Sequence, residues 1–203
     1  MSQQLTYLAL GDSYTIGEQV PATESFPVQA ANRLKAAGLP LAETVIIAKT
    51  GWTTGELQEA IDKAALTDTY DLVTLLIGVN NQYRGYQMDD YRSDFERLLQ
   101  QAIGFAGQRA GRVVVLSIPD WGVTPYASGR DRALIAQEID AYNSINRALA
   151  QAAGVHYIDI TPGTRQADTD ESLLTGDGLH PSGKEYGRWA GQVADYYEIL
   201  FRK

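Results

Sequence analysis

The 203-residue chain contains no cysteine and only two histidines, His156 and His180. The first absence removes disulfides, thiolate nucleophiles, zinc-finger sites and iron–sulfur clusters, so covalent catalysis must use another side chain. The second removes most multi-histidine metal sites, and no metal or cofactor is expected. Long hydrophobic runs are missing as well. No stretch approaches the roughly eighteen apolar residues that a membrane-crossing helix needs. The N-terminal Met1-Ser2-Gln3-Gln4-Leu5-Thr6-Tyr7 lacks the basic and long apolar regions of a signal peptide. Basic residues are outnumbered 17 to 25 by acidic ones, giving a formal charge of −8, and they are scattered along the chain. That balance argues against a nucleic-acid or anionic-membrane surface. The expectation is a soluble cytoplasmic protein. Its length suits a single domain over residues 1–203, able to bury about 70% of its unfolded surface without metal or cross-link. The sequence carries no signal for oligomeric state.

What is present is an alternation of two periods. Leu5–Leu10, Thr44–Ala48, Asp71–Ile77, Arg112–Ile118 and Val155–Ile160 are short β-rich apolar runs that predict strands. The third and fourth are almost continuously apolar, as parallel strands covered on both faces should be. Between them recur helical stripes: Leu57, Ala60, Ile61 and Ala64; Tyr91, Phe95, Leu98, Leu99, Ala102 and Ile103; Ile135, Ile139, Tyr142, Ile145 and Leu149; Tyr186, Trp189, Ala190, Val193, Tyr197 and Leu200. Ser25–Ala37 adds another helix, with Ser25 as its cap and Pro27 in its first turn. The βαβαβαβαβα order predicts a three-layer α/β/α sandwich around a five-stranded parallel sheet with right-handed crossovers. Two connections, Pro119–Asp131 and Thr161–Gly178, are long and rich in Gly, Pro, Asp and Thr, and long loops in such a domain are often functional.

In an open parallel sheet, ligands bind beyond the carboxyl ends of the strands. The first three exits read Gly11-Asp12-Ser13-Tyr14, Lys49-Thr50-Gly51-Trp52 and Gly78-Val79-Asn80-Asn81, and Asp177-Gly178-Leu179-His180-Pro181 precedes the last helix. Singly, each has an ordinary reading as a cap, a turn or a left-handed residue. Together they supply what acyl transfer needs: a hydroxyl nucleophile, an imidazole with a carboxylate three residues away, and hydrogen-bond donors for an oxyanion. Asp177 against the imidazole Nδ1–H at the start of a helix would leave Nε2 free to take a proton, with Pro181 as a first helical residue. His156, at the start of the last strand, reads as structural. The Gly-x-Ser-x-Gly elbow of the α/β-hydrolases is absent around Ser13, and the P-loop-like Gly178–Glu185 ends in glutamate and contains a proline, so it reads as coincidence.

These four blocks, in this order over residues 11–181, resemble those of the SGNH hydrolases, the GDSL esterase/lipase family. The resemblance implies a flavodoxin-like sheet of order 2-1-3-4-5 and a serine ester hydrolase without cofactor. It implies Ser13 as nucleophile, His180 and Asp177 as the rest of a triad, and the N–H groups of Ser13 and Gly51 with the side chain of Asn80 as an oxyanion hole. Tyr14 stands where the family usually has leucine. Asn81 replaces the usual aspartate of the third block, a neighbour expected to support the oxyanion loop rather than donate to it.

The expected substrate is a small acyl ester of a carbohydrate, a lipid or a thioester. Acyl transfer on the same site is a competing outcome, as is a non-catalytic flavodoxin-like module that binds a ligand such as FMN. Trp52, Tyr83, Arg84, Trp121, Val123 and Tyr126 are the candidate substrate walls, with Arg84 suited to a carboxylate or phosphate. Glu18 is either a support for the nucleophile block or simply solvent-facing.

Overall fold

The five apolar runs become the strands of one parallel sheet in the computed structural model, which describes residues 4–202. They are β1 (Leu5–Asp12), β2 (Leu41–Lys49), β3 (Leu72–Leu76), β4 (Val113–Leu116) and β5 (His156–Ile158), in spatial order β2-β1-β3-β4-β5. All pairings are parallel. The strands β3 and β4 are buried along their whole length, as continuous apolar runs require when helices cover both faces. Gly11 pairs with Ala48 on one side and Leu76 on the other. The carboxyl ends of three adjacent strands are therefore level, and the residues that follow them share one edge of the sheet.

Short α1 (Ser13–Ile16) follows β1 directly, and α2 (Phe26–Ala36) packs on the C-terminal α8 (Gly183–Phe201). On the other layer α3 (Thr54–Ala64), α5 (Met88–Phe105) and α6 (Arg132–Ala152) pack in a row. The remaining helices are the single turns α4 (Val79–Tyr83) and α7 (Thr161–Thr164). The long helices turn their apolar stripes inward, with Ala60, Ile145 and Leu200 half-buried; in α5, all six predicted positions from Tyr91 to Ile103 are buried. The buried apolar side chains form one contiguous core, whose largest members include Trp189, Tyr7, Tyr91, Tyr186 and Tyr197. A capping box starts α3: the Thr53 N–H donates to Glu56 Oε2 at 2.8 Å, while Thr53 Oγ1 accepts from the Glu56 N–H.

Four local expectations are corrected. Ser25 holds the cap position of α2, yet its hydroxyl donates backwards to Ala22 O at 2.9 Å and caps nothing. Ala64, the last residue of α3, is exposed, and the buried positions of that helix end at Ile61. The two long connections are not irregular throughout: 3₁₀ turns occupy Trp121–Val123, Pro125–Ala127, Arg165–Asp168 and Glu171–Leu173. Finally, β5 keeps only three residues, and side chains take over where the ladder stops. Ser117 Oγ accepts the N–H groups of Ile160 and Thr161, and buried Asn143 bonds both the N–H and the C=O of Ile118. This polar patch anchors the start of the fourth connection to α6.

Candidate active site

The level strand ends bring Ser13, Gly51 and Asn80 to one cleft of about 130 Å³, and His180 reaches it from the segment before α8. Ser13 is the first residue of α1, so its position is fixed by the turn that leaves β1. Asp12 caps that turn, its Oδ1 accepting the Tyr14 N–H at 3.0 Å. Asp12 is fully buried, and burial, only partly offset by backbone hydrogen bonds, pushes its carboxyl up to about 7. Gly51 has φ +81°, a conformation that glycine adopts without a Cβ penalty.

Asn80 is held by its amide. Nδ2 donates to Trp52 O at 2.9 Å and makes a longer 3.4 Å contact with Asp12 Oδ2. The side chain thus ties the third strand exit to the second and the first. Its neighbour Asn81 is fully buried and bonds the start of α3: Thr54 N–H donates to Asn81 Oδ1 at 3.0 Å and Asn81 Nδ2 donates to Thr54 Oγ1 at 2.8 Å. Asn81 therefore braces the Gly51 segment against the Asn80 turn. At the far end of the same segment, the Thr50 hydroxyl donates to Glu18, joining the second exit to the chain after α1.

His180 and Asp177 form a close pair, Nδ1 to Oδ2 2.6 Å. The pair is made by a tight turn, not by a helix start. Asp177 Oδ1 accepts the N–H groups of Leu179 and His180 and the Thr175 hydroxyl, and the Thr175 N–H donates to His180 O. Partial burial opposes ionisation of Asp177, but these bonds, led by that from His180, outweigh it and hold the carboxyl down to about 2. With Nδ1 engaged by a carboxylate, the proton-accepting nitrogen of the neutral ring is Nε2. The predicted place of Pro181 in the first helical turn is corrected: Pro181 bridges Leu174 in antiparallel fashion and α8 begins only at Gly183. His156 lies away from the cleft, stacked on Tyr196 with ring centroids 3.8 Å apart.

The walls differ from the sequence expectation. Tyr83, Trp121 and Tyr126 line the cleft, joined by Tyr14, Val79 and Leu179, which the sequence reading did not assign to it. Trp121 is buried and fixed by its indole N–H, which donates to Gln82 Oε1 at 2.7 Å; Gln82 in turn donates to Glu138. Trp52, Arg84 and Val123 are not among the lining residues. Trp52 packs partly buried against the core and offers the cleft only its carbonyl partner for Asn80. Arg84 turns its guanidinium onto Gly51 O at 2.6 Å and Glu56 at 3.3 Å, clamping the glycine turn. Val123 faces a separate surface depression beside Thr124 and Arg132. Tyr14 was visible as the residue after Ser13, but its approach to His180, with ring centroids 5.3 Å apart, depends on a contact across the fold.

A parallel sheet of this order, flanked by helices, is a flavodoxin-like α/β architecture, and its strand exits bring a serine and an Asp–His pair to one cleft. The profile of the GDSL-like lipase/acylhydrolase family matches residues 9–188, and the chain belongs to that family. It is a carboxylic ester hydrolase, which sets aside the non-catalytic ligand-binding module. Solved structures agree in fold. The structure of TesA superimposes with a TM-score of 0.74 at 18% identity, covering 96% of this chain and 99% of the other. A lipase/acylhydrolase from Enterococcus faecalis gives 0.72 at 20%, covering 97% of each chain. Axe2, an acetylxylan esterase from Geobacillus stearothermophilus, gives 0.72 at 18%, covering 96% and 94%. No curated protein sequence matches the chain. Among the described residues no helix is long and apolar enough to cross a membrane.

Proposed function

We propose that the protein hydrolyses small acyl esters through an acyl-enzyme on Ser13, with the one domain of residues 1–203 carrying the whole reaction. The carrying observation is the 2.6 Å Asp177–His180 pair beside a cleft that also holds Ser13, Gly51 and Asn80. His180 Nε2 takes the proton as Ser13 Oγ attacks the ester carbonyl, and Asp177 holds the ring in that tautomer and stabilises the imidazolium. The developing oxyanion is met by the N–H groups of Ser13 and Gly51 and by the Asn80 amide. The 3.4 Å contact of Asn80 with Asp12 is the weaker of its two bonds, so that hydrogen is the one available to the oxyanion. His180 then protonates the departing alcohol. A water activated by the same nitrogen releases the acid and restores Ser13.

Turnover of a short-chain aryl ester tests the scheme. Ser13→Ala and His180→Ala should each lose on the order of 10⁴–10⁶ in kcat, and Asn80→Ala roughly 10²–10³. Wild-type-like hydrolysis by the Ser13→Ala protein, or failure of an organophosphonate to label Ser13, would overturn it.

A further inference from the structure

We propose that the mouth of the cleft carries a subsite for an anionic group, so that the preferred substrate is an acyl ester bearing a carboxylate or phosphate; this rests on the ester-hydrolase reading above. Arg130 stacks over two cleft-lining rings, its guanidinium carbon 5.1 Å from the Tyr83 centroid and 5.5 Å from that of Trp121. It donates to the Tyr83 hydroxyl at 3.1 Å and has no carboxylate partner among the described residues, whereas Arg84, Arg132, Arg147 and Arg165 are all ion-paired. Arg130 is exposed and does not itself line the cleft, but it is held over two rings that do; in a chain of net charge −8, a cation so placed and without a carboxylate partner is an available anion partner at the rim.

Hydrogen-atom counting sharpens the assignment. The hydroxyls of Tyr83 and Tyr126 lie 3.3 Å apart and form one mutual bond. Whichever phenol donates, the other keeps a hydrogen with no acceptor, and both rings are exposed. Arg130 uses one N–H on Tyr83 and has others to offer. The two phenol oxygens keep some accepting capacity, but the free N–H groups of Arg130 and the spare phenol hydrogen outnumber it, so the rim offers more donors than acceptors. A sugar hydroxyl, which donates as readily as it accepts, does not match that surplus; the acceptor-only oxygens of a carboxylate or phosphate do.

The test compares esters that differ only in the anion: 4-nitrophenyl butyrate with mono-4-nitrophenyl glutarate, phenyl acetate with 3-acetoxybenzoate, and glycerol monoacetate with its 3-phosphate. The first two pairs place a carboxylate on the acyl or the alcohol side, and the third distinguishes phosphate. The quantity read is the anionic-to-neutral ratio of kcat/KM within each protein, which cancels any general loss of activity. The wild-type ratio should exceed one in at least one pair, fall about 10-fold or more in Arg130→Gln, and be partly kept in Arg130→Lys. A ratio unchanged by Arg130→Gln, or at or below one in all three wild-type pairs, overturns the subsite. Ser13-dependent turnover of the neutral esters would still leave the hydrolase reading standing, while turnover that survives Ser13→Ala would remove both.

Discussion

Two carboxyls beside the cleft, buried Asp12 and exposed Asp177, are displaced in opposite directions, and their consequences differ in sign. Asp177 is held down to about 2 from an ordinary 3.8, so its share of folding stability is complete above pH 4 and is lost as pH falls towards 2. Asp12 is raised to about 7. Between pH 4 and 7 the unfolded chain has released that proton while the native chain still holds it, so this group lowers stability as pH rises through that window. Asp12→Asn removes the titration. Thermal melts should show the Tm of the variant rising relative to wild type from pH 4 to 7, with no further change above pH 8; parallel curves across the window would refute the assignment. Asp177→Asn probes the other carboxyl. An asparagine still accepts the Leu179 and His180 N–H groups, but it turns an amide towards Nδ1 and favours the tautomer with Nε2 protonated. A loss of about 10²–10⁴ in kcat is expected, with a Tm below wild type at neutral pH whose deficit closes as pH falls towards 2.

At the scale of elements, the site is a set of strand exits cross-braced by side chains. Thr54 Oγ1 accepts from Asn81 Nδ2 and donates to Asp94 Oδ2 at 3.2 Å, which joins α3, α4 and α5. One hydroxyl hydrogen cannot serve two carboxylates. Asn81→Asp should therefore cost about 1–3 kcal/mol, and adding Asp94→Asn should recover part of it; denaturant titration of the four chains of the cycle reads the coupling. This also gives the reason that asparagine, not the family's usual aspartate, fits here. The strand and helix alternation was legible because apolar period is a local property, written in runs of five and stripes of four. Arg84 was not: its partners Gly51 and Glu56 lie far along the chain, and only tertiary packing brings the guanidinium to them. Pro181 misled for a related reason, since a proline suits a first helical turn, yet the bridge to Leu174 holds it in extended pairing. The four motif blocks are legible in the sequence itself. The donor-rich rim at Tyr83, Tyr126 and Arg130 is not, because its meaning lies in who is left without a partner.

For the molecule as a whole, the sheet order decides how loss of structure and loss of activity are related. Ser13, Gly51 and Asn80 follow three neighbouring strands tied into the same core, so local fraying cannot separate them without breaking that core. Thermal inactivation of ester turnover should coincide with the cooperative loss of far-ultraviolet dichroism; an inactivation midpoint well below the unfolding midpoint would show a separately melting part of the site. The fourth connection stands apart from this frame. Trp121, Tyr126 and Arg130 sit on a stretch whose ends are pinned by Asp120, Asn143 and Asp131; Trp121, Thr124 and Ala127 are buried, while Pro125, Tyr126, Ser128, Gly129 and Arg130 lie on the surface. Descendants of this chain can exchange that middle portion and acquire a taste for different esters, because the reacting atoms are inherited from another part of the scaffold.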